Sequence, residues 1–234
     1  RHGNRWRLGE GVFALTPDEV AALDLSEAER RLLRPYHDLA DLGRYRLADP
    51  PARVLIYSTA RTWPRVETHP ALAAHLARFR AVLDARRETR RGCRGWWQLH
   101  WPRDESLWQS PKVLSVQMAA RPSFASSSGR CYAPFSVNVF APDARRREDV
   151  CYFAAVLNSR LLWRWYAGRA KRRGVGLEIN GRLLASTPMP PIDFGCAAER
   201  RRHDRLVELA RRMMRDADDS TDRRIDELVC AMYG

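Results

Sequence analysis

The spacing of apolar residues along the chain switches between helical and extended periods, and each switch predicts an element. Thr16-Pro17-Asp18-Glu19 and Ser26-Glu27-Ala28-Glu29 each set a hydroxyl at an N-cap with a glutamate three positions on. That is the capping-box pattern, so two short helices are expected, ending near Arg34-Pro35. Val54-Leu55-Ile56-Tyr57 is a short apolar run between Pro51 and the Thr62-Trp63-Pro64 break and reads as a buried strand. From Pro70 to Arg90, Leu72, Leu76, Phe79 and Leu83 recur at helical spacing, which predicts one longer helix. Its later turns carry Arg78, Arg80, Arg86, Arg87, Arg90 and Arg91, a basic face that serves either DNA or solvent.

The period then shortens to two. Trp97, Leu99 and Trp101 alternate with Trp96, Gln98 and His100, and Leu114, Val116 and Met118 alternate with Val113, Ser115 and Gln117. Both runs predict strands, Ser136 to Phe140 a third, and the turn-rich Ser126-Ser127-Ser128-Gly129 between them a hairpin connection. The tryptophans of the first run are assigned to the core by this alternation. After Asp149 the helical period returns, with Val150, Phe153, Leu157 and Leu161 on one stripe and Trp163, Trp165 and Tyr166 adding apolar bulk elsewhere. This helix is expected to be buried on more than one side and to run to Gly174. Thr187-Pro188-Met189-Pro190-Pro191 cannot continue a helix and marks a boundary. Beyond it, Leu206, Leu209 and Met213, then Ile225, Leu228, Val229 and Met232, define two amphipathic helices split by Asp216 to Asp222. The fold class is therefore α+β: a central, mostly antiparallel sheet flanked by helices, with a C-terminal helical pair.

Composition adds a partner. With 234 residues and 45% apolar content, the chain has enough material for one or two ordinary cores. Its 41 basic and 28 acidic residues leave a net charge of +13, the footprint of a polyanion binder. Only Lys112 and Lys171 are lysines. The arginine excess either suits phosphates and guanine edges or reflects coding bias, and the net charge stands in both cases. No apolar run approaches the roughly 20 residues of a membrane helix, and Arg1 to Glu10 does not resemble a signal peptide, so the expectation is a soluble, cytoplasmic protein without membrane partners. The absence of an initial Met reads as an excised or processed piece. The cysteines at 93, 131, 151, 196 and 230 have no Cys-x-x-Cys pairing, which argues against a zinc site or a disulfide framework.

The sequence holds no specific catalytic constellation, and no residue of it reads as catalytic, metal-ligating or cofactor-binding. Asp49-Pro50-Pro51-Ala52 lacks the aromatic residue that would hold a flipped base, and reads as a turn. Gly174-Val175-Gly176 follows a helical pattern instead of opening one, so it reads as a helix end. Pro142-Asp143 with Glu148 and Asp149 has no Glu-x-Lys partner for a metal-dependent nuclease, and there is no Gly-x-Ser-x-Gly elbow.

Several tracts nevertheless occur together in a recognisable order. Leu33-Arg34-Pro35-Tyr36 precedes Asp41-Leu42-Gly43-Arg44-Tyr45, then come Tyr57, Leu76 and Arg86, and then Trp96-Trp97-Gln98-Leu99-His100-Trp101-Pro102-Arg103. Pro111-Lys112-Val113, Leu157-Asn158-Ser159, Thr187-Pro188-Met189-Pro190 and Ile225-Asp226-Glu227-Leu228-Val229-Cys230-Ala231-Met232-Tyr233-Gly234 follow. As a set they resemble the TaqI-like C-terminal specificity domain of type IIG restriction-modification enzymes and adenine-specific DNA methyltransferases. The chain departs from that pattern at Ser126-Ser127-Ser128, where the family often carries an acidic residue. The resemblance implies a target-recognition domain at 1–195 with a helical extension at 196–234. It further implies a double-stranded DNA partner, no chemistry of its own, and an upstream methyltransferase domain that would hold S-adenosylmethionine and act on an adenine amino nitrogen.

Phosphate contacts should position such a domain while a few side chains read base edges from loops around the sheet. Arg103, Lys112 and Arg121 flank the strands and are the first candidates for DNA contact; Arg169, Lys171, Arg172 and Arg173 form a second cluster before Gly174. A structural ion pair for Arg103 and a solvated helix end for the cluster are the competing readings. Two other functions stay open: an RNA or single-strand binder using exposed aromatics between basic residues, and a protein-interaction module in which Leu206 to Met232 pairs with a partner helix.

Overall fold

The chain's first two helices exist because their ends are closed by side chains. In a computed structural model that describes Trp6, Arg7 and residues 9–174 and 176–234, α1 (Pro17–Ala21) and α2 (Glu27–Arg30) both begin with complete capping boxes. Val175, and Arg1 to Arg5 with Leu8 of the N-terminal stretch, lie outside the described residues. The chain divides into two compact units, the first running to Tyr36 and over Pro50–Ser106, the second over His37–Asp49 and Leu107–Gly234.

In the first unit, β1 (Ala14–Leu15), β2 (Leu33–Tyr36) and β3 (Arg53–Ile56) form an antiparallel sheet in the order β1-β3-β2. The second short helix therefore stops at Arg30 and does not reach Pro35, which sits opposite Val54 on the edge strand β2, where a missing N–H is tolerated. Leu15, Ile56, Trp63, Leu72, Leu76, Phe79 and Leu83 make the core. The single helix expected over 70–90 is three: α3 (Pro70–Ala77), α4 (Arg80–Asp84) and α5 (Arg87–Arg90). It breaks at Phe79, with φ −101° and ψ 9°, and at Arg86, with ψ 139°.

Arg86 also explains why Trp96 to Trp101 is a series of turns and not the expected strand. Its guanidinium donates to the carbonyls of Gln98 at 2.9 Å and Trp96 at 2.8 Å, withdrawing them from any sheet ladder. The Gln98 side chain accepts from Gly95 N–H at 3.1 Å, and a Cβ on Gly95 would meet the Trp97 ring at 2.4 Å, so only glycine fits. Trp96 and Trp97 are half-buried against the core, with Trp97 Nε1 donating to Trp63 O at 2.9 Å. Trp101 is 62% exposed and is not a core residue. The alternation is real, but side-chain hydrogen bonds to the backbone outcompete the ladder.

The helix α6 (Glu105–Gln109) leads to the second unit, where β4 (Lys112–Val116) is the centre of an antiparallel sheet with β6 (Phe124–Ser127) and β7 (Val137–Phe140). Ser126 and Ser127 thus belong to a strand, with Ser126 opposite Val113, and not to a turn. All nine residues of α7 (Val150–Asn158) are buried against β6 and a C-terminal helix, as its apolar composition requires. Asn158 ties it to the sheet: its Nδ2 donates to Phe124 O at 2.7 Å and its Oδ1 accepts from Phe124 N at 2.9 Å. The backbone then turns at Ser159, with ψ 154°, and Ser159 caps α8 (Arg160–Ala167) through Leu162 N at 3.3 Å.

The expected helix to Gly174 ends at Ala167 instead, capped by Gly168. Lys171–Arg173 is a strand, β8, which pairs with β9 (Gly176–Glu178), and β9 pairs with β5 (Met118–Ala119) in a third antiparallel sheet. Gly174 is accordingly not a helix end but lies in the connection between β8 and β9, at φ +56°. A branched side chain is strained in that left-handed region. Gly174→Val is expected to lower unfolding stability by about 1–2 kcal/mol and Gly174→Asn by much less, read as urea midpoints at constant slope.

After a short α9 (Gly181–Ala185), the proline tract passes without regular structure into α10 (Ala197–Arg215) and α11 (Asp219–Tyr233). The interruption is Asp216 to Asp218, shorter than expected, because Asp218 caps α11 by accepting from Thr221 N at 2.8 Å. Leu206, Leu209, Met213, Ile225 and Val229 share one core with Phe124, Tyr152, Phe153 and Leu157. The architecture is the α+β class expected, with small antiparallel sheets flanked by helices.

Candidate nucleic-acid interface

Antiparallel register places Lys171, Arg172 and Arg173 on one small sheet, with Arg121 two residues beyond β5 and Arg169 two residues before β8. Met118 is opposite Glu178, which is opposite Lys171; Ala119 is opposite Leu177, which is opposite Arg172; Gly176 is opposite Arg173. Because side chains alternate between faces, Met118, Glu178, Lys171 and Arg173 share one face. Leu177, 8% exposed, marks the other face as the one turned to the core. The first face is therefore the outer one. Lys171, Arg172 and Arg173 are all exposed, and Arg173 pairs with Glu178 at 2.8 Å.

Two more arginines are oriented by indoles. The exposed Arg121, two residues beyond β5, lies over the Trp163 ring at 5.3 Å from its centroid, and the exposed Arg169, just after α8, lies over Trp165 at 4.7 Å. Stacking holds a guanidinium flat while leaving its N–H donors available, so less side-chain freedom is lost when those donors meet a phosphate or a guanine edge. Periodicity assigns both tryptophans only a packing role. The available signal is their place on α8 off the stripe of buried Leu162 and Tyr166, with arginines close in sequence.

The remaining candidates sit elsewhere. Lys112 is fully buried; its Nζ donates to Gly129 O at 2.8 Å, and burial pushes its pKa down. Its ammonium is committed to the loop after β6. Arg103 belongs to the first unit and is half-buried, its carbonyl accepting from Tyr57 Oη at 2.9 Å, and burial lowers the pKa of its guanidinium.

The basic face of the first unit is mostly used internally. Arg78 pairs with Glu10, Arg80 with Asp84 at 2.6 Å, Arg86 holds the turn described above, and Arg87 pairs with Glu88 at 2.9 Å. Arg90 and Arg91 are exposed and line a shallow hollow with Arg87 and Ala85.

The second unit also holds a cavity of about 620 Å3 lined in part by Asp149, Glu148, Arg146, Arg211 and Cys151. Its carboxylates are paired, Asp149 with Arg211 at 2.6 Å and Glu148 with Arg146 at 3.2 Å, and burial raises the Cys151 thiol above its ordinary range. Among the described residues no group of three or more His, Cys, Asp or Glu could hold a metal ion, and no helix is long and apolar enough to cross a membrane.

No protein-family model matches the chain, and no curated protein matches it. Its fold is similar to a portion of the solved structure of the type IIL restriction-modification enzyme MmeI in complex with DNA, with a TM-score of 0.66 at 9% sequence identity. The match covers 100% of this chain and 34% of that one, so the chain spans about a third of the enzyme it resembles in fold.

Proposed function

We propose that the chain binds double-stranded DNA as the target-recognition region of a site-specific DNA adenine methyltransferase or type IIG restriction-modification enzyme. The observation that carries the reading is the run of exposed cations on and beside the β5-β9-β8 sheet: Lys171 and Arg173 share its outer face, Arg172 lies between them, and Arg121 and Arg169 are each stacked on an indole of α8. Phosphate contacts from this surface would set the position on the duplex, and the indole-held Arg121 and Arg169 are the candidates to read base edges. Fold similarity to a portion of a restriction-modification enzyme solved in complex with DNA supports the setting. The methylated base rests on the TaqI-like tracts alone, above all Trp96 to Arg103 and Ile225 to Gly234. In this reading a methyltransferase domain upstream supplies S-adenosylmethionine and the reaction. Residues 1–195 carry recognition and 196–234 extend it.

The test is the dependence of duplex affinity on salt, measured by fluorescence anisotropy. If all five cations reach phosphates, log affinity should fall with log salt with a slope of about −4.5. S-adenosylmethionine should leave the affinity unchanged. An affinity that stays flat as salt rises would remove the electrostatic basis of the reading. Trp101, 62% exposed, favours a second one, in which the chain stacks unpaired bases. A single strand bound more tightly than the duplex, with the preference lost in Trp101→Ala, would select it.

A further inference from the structure

We infer that Phe135, with Met118 at the same end of the β4–β7 ladder, is a wedge that enters the base stack of the DNA lying on the basic sheet. The inference rests on the duplex-binding reading above. Phe135 is the second residue of a turn, Pro134 to Val137, closed by Val137 N–H donating to Pro134 O at 3.0 Å. Such corners ordinarily carry small or polar residues. Here a phenyl ring stands 78% exposed.

A second exposed apolar side chain lies at the same end of the ladder. Val116 is opposite Val137, and the pairing continues outward: Gln117 N–H donates to Ser136 O at 3.1 Å and the Gln117 side-chain amide to Phe135 O at 3.3 Å. Met118 comes next and is 60% exposed. Single exposed apolar residues are ordinary, but here a phenyl and a thioether both stand exposed at the same end of the β4–β7 ladder.

The neighbouring charge identifies what that patch meets. Met118 begins the row that crosses Glu178 to Lys171, two strand spacings away and thus about 10 Å, with Arg173 on the same face. An apolar tip at one end of a row and phosphate-binding cations at the other is the arrangement by which proteins separate stacked base pairs and kink a duplex. An apolar site on another protein would fit the tip but leave the cationic end unmatched.

The test uses the full chain and duplexes carrying 2-aminopurine at pyrimidine–purine steps, which unstack most readily. Binding of the parent chain should raise emission at such a step. Phe135→Ala should abolish that rise and weaken binding about tenfold while leaving the salt slope unchanged, and Phe135→Leu should retain some of both. Normal salt-dependent binding with flat emission at every labelled step would overturn the wedge and leave the duplex reading intact, as would a Phe135→Ala variant that keeps both emission and affinity. No salt-dependent duplex binding by the parent chain would sink both, and is the outcome expected if the tip serves a protein partner.

Discussion

Replacing Lys171, Arg172 and Arg173 together by glutamine should cost the chain at least about a hundredfold in duplex affinity at physiological salt and flatten its salt slope by about 2.7. Each phosphate neutralised on a duplex contributes about 0.9 to that slope, so three lost contacts account for the change. The fold should survive, because all three residues are exposed and lie on an edge strand. Among the described residues the ion pair lost is Arg173 with Glu178, exposed on the arginine side and worth well under about 1 kcal/mol. Anisotropy titrations at several salt concentrations, with melting curves as the control for folding, read both effects. Single substitutions refine the result: Lys171 and Arg173 share the outer face with Met118, whereas Arg172 pairs with Leu177 on the core-facing side. Arg172→Gln should therefore have the smallest effect of the three. A triple variant with the parent slope would take this hairpin out of the interface.

The basic sheet shows which regions of the fold a local reading can reach. Lys112–Val116 and Val137–Phe140 are strands because their alternation is matched by a partner across the ladder, and the capping boxes at Thr16 and Ser26 close as their spacing requires. Asp149, Ser159 and Asp218 likewise cap the helices that follow them. These signals are local, and the physics that satisfies them is local as well. Trp96 to Trp101 departs from its alternation for a distant reason, since the carbonyls that a ladder would need are taken by Arg86. Ser126 resembles a turn residue, yet it is buried in β6 with its hydroxyl 3.5 Å from the thiol of Cys151, a contact set by the packing of α7 on the sheet.

The site is legible in charge and obscure in geometry. Arg121 and Lys171 to Arg173 are separated by some fifty residues, and only the pairing of β5 and β8 with the same central strand unites them. Gly168 is the sign that the helix stops before the cluster, which converts a solvated helix end into an edge strand. Lys112 shows the converse: a lysine at a strand entry reads as exposed, but the loop carbonyl of Gly129 draws it inward. Phe135 and Met118 give no signal of their exposure, because exposure of an apolar side chain is a property of the assembled sheets.

Glu29→Ala should lower the unfolding free energy of the first unit by about 3 kcal/mol. The spacing predicts Glu29 as the closing member of a capping box, and its carboxylate does accept from Ser26 N at 2.9 Å and from Ser26 Oγ at 2.7 Å. The same carboxylate also accepts from Ala71 N at 2.7 Å and Leu72 N at 3.1 Å, so it caps the start of α3 as well as that of α2. Alanine would leave these donors facing a site that is 2% exposed, where water cannot readily replace the lost acceptor. Glutamine keeps one acceptor oxygen and should cost less. Burial acts to raise the pKa of Glu29, but the hydrogen bonds from Ser26, Leu72 and Ala71 outweigh it, and the net shift is downward. A carboxylate whose folded-state pKa is depressed contributes stability that is fully present above its unfolded value, about 4.3, and is lost as pH falls through the folded value. Urea unfolding should therefore show the largest gap between the parent chain and Glu29→Ala near neutral pH, narrowing below about pH 4. A gap that is constant across this range would assign the loss to packing and not to the ionised carboxylate.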